Sequence, residues 1–109
     1  MRFDEYQKQA GTTAIYPNKG ANLTYPALGL AGEVGELCNQ IKKIDRDDHG
    51  TLTDERLAKL HDELGDVLWY CAALASEMGI GLSEVAANNL CKLAERKQRG
   101  RLAGSGDKR

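Results

Sequence analysis

Two long amphipathic stretches, each carrying an acid-x-x-acid pair, restrict this chain to a narrow set of folds. Glu33-Val34-Gly35-Glu36 and Glu63-Leu64-Gly65-Asp66 sit inside segments whose apolar residues recur at helical spacing. Leu30, Val34, Leu37, Cys38, Ile41 and Ile44 form the first stripe. Leu57, Leu60, Leu64, Val67, Leu68, Cys71, Leu74 and Met78 form the second. Acids three apart share one helical face, a turn above one another. At 100° per residue, each pair lies about 80° from the centre of its stripe, on the same flank in both segments. Asp47-Asp48-His49-Gly50 reads as a turn, so the segments fold back as an antiparallel hairpin. That register brings Glu33 level with Asp66, and Glu36 level with Glu63.

Four carboxylates at a seam repel one another unless protons or cations intervene. Lys43 and Lys59 are the nearest candidate partners, and two lysines do not neutralise four acids. An all-carboxylate donor set suits Mg²⁺ or Mn²⁺. A di-iron bundle needs Glu-x-x-His motifs, and neither acid motif contains a histidine. His61 falls on the far side of the seam and reads as structural. The ordinary alternative is a solvated helix face; one such pair alone would be unremarkable, whereas two that match in level and flank point to a cation.

The remaining helices follow from breakers and caps. Phe3, Tyr6, Ala10 and Ala14 predict a short first helix ending before Pro17. The second is expected from near Pro26 to about Arg46, and the third from a Thr53 N-cap to Met78, stopped by Gly79. A fourth is expected after a Ser83 N-cap, ending at Gly100. Its edge presents Asn89, Lys92 and Arg96, suited to phosphate oxygens that a metal also holds. Gly35 and Gly65, inside helices at matching angles near Trp69, predict close backbone approach at a second packing interface, such as a dimer contact. The same side offers Trp69 a role in a base pocket. Tyr70 lies nearer the acid edge and reads as a ligand neighbour. The expected fold is all-α: a four-helix-bundle-like single domain over residues 1–100, built on the central hairpin, with 101–109 a disordered basic tail.

One Phe, one Trp and two Pro in 109 residues favour helices over a sandwich or barrel, and a chain this short predicts oligomerisation. No apolar run reaches the ~20 residues of a membrane span, nor does the start resemble a secretion signal, so the expectation is cytoplasmic. The net charge of −1 argues against a stable nucleic-acid complex, despite the basic residues from Lys92 onward. Cys38, Cys71 and Cys91 have no C-x-x-C spacing and read as reduced core thiols.

Gly-Leu-Ala-Gly-Glu-Val-Gly-Glu-Leu at 29–37, Asp-Glu-Leu-Gly-Asp-Val-Leu-Trp-Tyr at 62–70 and Asn-Leu-Cys-Lys-Leu-Ala-Glu-Arg at 89–96 resemble the MazG-like nucleotide pyrophosphohydrolases of the all-α NTP pyrophosphatase superfamily. The signature of that family, E-x-x-E, a spacer and E-x-x-D, reads here as Glu33-x-x-Glu36, 26 residues, and Glu63-x-x-Asp66. The resemblance covers roughly residues 20–100. It implies Mg²⁺-dependent hydrolysis of a nucleoside triphosphate to monophosphate and pyrophosphate. In that reading Glu33, Glu36, Glu63 and Asp66 are metal ligands and catalytic groups. Asn89, Lys92 and Arg96 contact phosphate, with Lys43 and Tyr70 as further substrate contacts. It also implies a homodimer or homotetramer. The rival class is a non-enzymatic helical interaction module whose acids are neutralised by lysines.

Overall fold

The computed structural model describes residues 1–109 as four helices and no strand. In chain order these are α1 (Phe3–Gly11), α2 (Thr24–Asp47), α3 (Asp54–Glu77) and α4 (Leu82–Gln98). α2 and α3 form the expected antiparallel hairpin. Its turn places His49 and Gly50 at positive φ, and the Gly50 N–H closes the helix end on the Ile44 carbonyl at 3.0 Å. Arg56 locks the turn by donating to Asp48 at 2.7 Å and to Gln40 at 3.2 Å. Thr53 caps α3 by accepting from the Arg56 N–H, and Asp54 and Glu55 face the positive end of its dipole.

α1 and α4 pack around the C-terminal half of α3 and do not enclose the hairpin. Ala10, Ala72, Ala75 and Leu82 form the core there, with Tyr6, Trp69 and Ile80 against it. Small residues on α3 let both short helices approach closely. α1 ends where the Thr12 and Thr13 hydroxyls turn back to the Gln9 and Ala10 carbonyls. α4 begins at Leu82, earlier than the Ser83 cap expected from sequence. The cap comes instead from α1: the Gln7 side-chain oxygen accepts the Leu82 N–H at 2.8 Å, and its amide donates to the Ile80 carbonyl. A cap supplied by another helix leaves no local sequence signal.

The stripe expected at the hairpin seam divides into two. The positions that lose exposure along the α2–α3 seam are Leu30, Glu33, Leu37 and Gln40, half-buried, with the buried Ile44 on α2, and Leu60, Glu63, Val67, Tyr70 and Leu74, all half-buried, on α3. Both runs step by three and four residues, and each carries one acid within the seam rather than on its flank. Val34, Ile41, Leu57, Leu64 and Leu68 stay on an open face, with Leu64 57% exposed. Cys38 and Cys91 are exposed rather than in a core, and Cys71 is half-buried; all three are free thiols. Within one chain nothing approaches Gly35 or Gly65, where a Cβ meets open space. A close approach occurs at Gly29, where the Tyr70 ring lies against the backbone.

The radius of gyration is 16.8 Å, against about 13 Å for a compact domain of this length. The accessible surface of 7851 Å² exceeds by about 1,900 Å² the value typical of a monomer of this mass. No helix is long and apolar enough to cross a membrane. Residues 101–109 form turns and bends rather than helix, and they lie back along α4.

Candidate metal centre

Carboxylate oxygens of Glu33, Glu63 and Asp66 all lie within 4.8 Å of one another. The hairpin sets this distance: Glu33 and Glu63 are half-buried seam positions on opposing helices, and Asp66 stands one turn beyond Glu63 at the seam's edge. Burial pushes the Glu33 carboxyl above the usual carboxylate range. The Asp66 charge, a hydrogen bond with Glu63, and the Glu63 and Glu36 charges all act in the same direction. No lysine or arginine is among the groups acting on it. Glu33 therefore holds a proton more readily than an isolated glutamate.

Glu36 lies one turn along α2, exposed, outside the set of three. Lys43 acts on Asp47 instead, and Lys59 lines a polar pocket with Asp48, Thr53, Asp54, Glu55 and Arg56 at the hairpin turn. Neither serves the cluster. α4 packs on α1 and α3 but not on α2, so one chain does not bring Asn89, Lys92 and Arg96 to the acids. Asn89 and Lys92 are on the surface, and Arg96 is 3% exposed, beneath the returning tail.

Beside the cluster is an aromatic cleft of about 330 Å³, lined by Thr13, Ile15, Tyr16, Pro17, Tyr25, Trp69 and Tyr70. The Tyr16 and Tyr25 rings stack with centroids 4.7 Å apart. The Tyr70 hydroxyl meets Tyr25, and its pKa is raised by burial, then by Tyr25 and Glu33. Trp69 donates its indole N–H to Thr13 at 2.9 Å and sets its ring edge-on to Tyr70. Trp69 thus anchors the N-terminal loop while forming part of the cleft. The loop is held from α3 by Glu77, which accepts from the Tyr16 hydroxyl at 2.7 Å, from Gly20 N–H at 2.8 Å and from Asn22 N–H at 3.3 Å. Sequence reasoning missed Tyr25, Glu77 and the proximity of Tyr6 to Asp66, whose charge raises the Tyr6 pKa after burial. Only Tyr25 carried a usable signal, as an aromatic just before the Pro26 of α2.

A family described as the MazG nucleotide pyrophosphohydrolase domain matches residues 23–100. The chain is also 48% identical over 114 aligned residues to the Gene 37 protein of Mycobacterium phage L5, with 100% of each chain covered. No solved structure matches it.

Proposed function

The chain belongs to the MazG nucleotide pyrophosphohydrolase family, and on that footing we propose that it hydrolyses a nucleoside triphosphate to the monophosphate and pyrophosphate with Mg²⁺ as cofactor. The observation that carries this reading is the convergence of Glu33, Glu63 and Asp66 within 4.8 Å with no cationic side chain acting on Glu33. The donors are all hard oxygens, which fits Mg²⁺, and Mn²⁺ meets the same set. When bound, the metal supplies positive charge beside the phosphate oxygens and lowers the pKa of water there.

The protein's own residues do the rest. Glu33, Glu63 and Asp66 hold the cation at the seam. Glu36 has its oxygens clear of that set and takes the proton of the attacking water. As the water oxygen bonds to the α-phosphorus, the α–β bridging bond breaks and its electron pair leaves on pyrophosphate. The aromatic cleft lies on the Tyr70 side of the acids, and its flat rings suit a nucleobase. Asn89, Lys92 and Arg96 meet the triphosphate in an assembly of chains. The open stripe of Val34, Leu57, Leu64 and Leu68 is the face on which a second copy completes the bundle, as a homodimer or homotetramer. An excess surface of about 1,900 Å² is ample beside the roughly 800 Å² per partner of a standard interface. The cytoplasm, where triphosphates and Mg²⁺ occur together, is the proposed setting.

A panel of (d)NTPs assayed for pyrophosphate with Mg²⁺ and with chelator tests this. Turnover of at least one nucleotide is expected, lost in Glu36→Gln and Asp66→Asn while helical circular dichroism persists. Products of two orthophosphates per monophosphate, or turnover indifferent to both substitutions, would overturn it.

A further inference from the structure

The stretch after Gly100 contains a single acidic residue, Asp107, among Arg101, Lys108 and Arg109. That one carboxylate is set on the two basic residues of α4 already proposed to meet phosphate. Asp107 Oδ1 lies 3.1 Å from Lys92 Nζ and 3.5 Å from the Arg96 guanidinium, which also donates to the Asp107 carbonyl. The fold-back is built from backbone the sequence is suited to supply. Gly100, Gly104 and Gly106 all sit at positive φ, where other residues are strained. The Arg101 N–H bonds to the Arg96 carbonyl at 2.7 Å, and Arg99 donates to the main-chain oxygen of Arg109 at 2.8 Å. Two of the three proposed phosphate contacts, Lys92 and Arg96, are thereby occupied by an anion of the same chain, and Arg96 is buried under it.

We propose that residues 101–109 are an internal competitor for the phosphate-binding edge: Asp107 occupies Lys92 and Arg96 until a polyphosphate displaces it. This rests on the reading of that edge as phosphate-binding. Asp107 is 84% exposed and Lys92 41%, so the hold on Lys92 is that of a surface ion pair, weak enough for a triphosphate or pyrophosphate to displace. A contact of that strength lowers apparent affinity by about two- to five-fold, and less at high salt.

Inorganic pyrophosphate, titrated calorimetrically into the full-length chain in the presence of Mg²⁺, tests the idea. Asp107→Asn is expected to bind it about two- to five-fold more tightly than the unaltered chain, and a chain ending at Gly100, which also frees Arg96 from the Asp107 carbonyl, should likewise bind it more tightly. Lys92→Gln is expected to bind it more weakly than either. If Lys92→Gln weakens binding while Asp107→Asn and the shortened chain leave it unchanged, the edge binds phosphate but the tail does not compete, and the proposal fails. If Lys92→Gln has no effect, the edge is not a phosphate site and both readings fail together.

Discussion

Glu33→Gln separates a metal centre from a lysine-neutralised acid cluster by the sign of its effect. Glu33 faces Glu63 and Asp66 with oxygens no more than 4.8 Å apart. At that distance each pair of charges costs about 1 kcal/mol in water and about 3 kcal/mol at an effective dielectric of 20. The site is half-open to solvent, so the lower end applies, and removing one charge relieves about 1–2 kcal/mol in the metal-free protein. For a chain of this size that raises Tm by roughly 4–8 °C per kcal/mol. The pH dependence has a definite sign. Because folding raises the Glu33 pKa, the folded state binds the proton more tightly than the unfolded chain. Metal-free stability should therefore fall as pH climbs from the ordinary glutamate value through the raised one, and the slope should flatten in the variant. Mg²⁺ reverses the ranking: at one hundred times its Kd it stabilises the unaltered chain by about 2.7 kcal/mol, and the variant by much less. Thermal melts followed at 222 nm, at one protein concentration, with chelator and with Mg²⁺, read all of this. A variant less stable than the unaltered chain in chelator, together with melts indifferent to Mg²⁺, would show the acids to be neutralised within the protein and refute the reasoning.

Gly29→Ala drives a Cβ into the Tyr70 ring, so overpacking should cost about 1–3 kcal/mol and outweigh the roughly 1 kcal/mol gained in helix propensity. A higher Tm in the variant would show that the ring does not rest there. The Tyr16 phenol, pushed up to about 12 by burial and by its bond to Glu77, should appear as a late step in an ultraviolet titration. Glu77→Gln should lower that value, and an unchanged late step would detach Tyr16 from Glu77. Leu64→Glu, on the open apolar stripe, should convert the dimers or larger species proposed for the unaltered chain into sedimenting monomers, and an unaltered distribution would place the interface elsewhere.

Much of the fold was legible because the helices carry their own boundary signals. Thr53, Gly50 and Gly79 act where local chemistry puts them, and 3.6-residue periodicity marks α2 and α3. The family resemblance over residues 20–100 agrees with the family match over 23–100. What failed was what depends on a neighbour. The start of α4 is set by Gln7 on another helix, and the close approach at Gly29 is set by a ring from α3. The seam was misplaced for a related reason. Each helix has an apolar arc wider than one partner covers, and periodicity does not say which edge the hairpin takes. It takes the edge that includes Glu33 and Glu63, leaving Val34 and Leu64 outside. Of the four acids that spacing grouped, Glu33, Glu63 and Asp66 converge and Glu36 does not, and the position of Glu33 and Glu63 inside the seam needed the fold.

The central claim is water attack at the α-phosphorus. Hydrolysis of an accepted triphosphate in ¹⁸O-water with Mg²⁺, followed by mass spectrometry of both products, tests it directly. The label is expected in the nucleoside monophosphate, with none in pyrophosphate. Label in pyrophosphate, or in orthophosphate released beside a diphosphate, would contradict it.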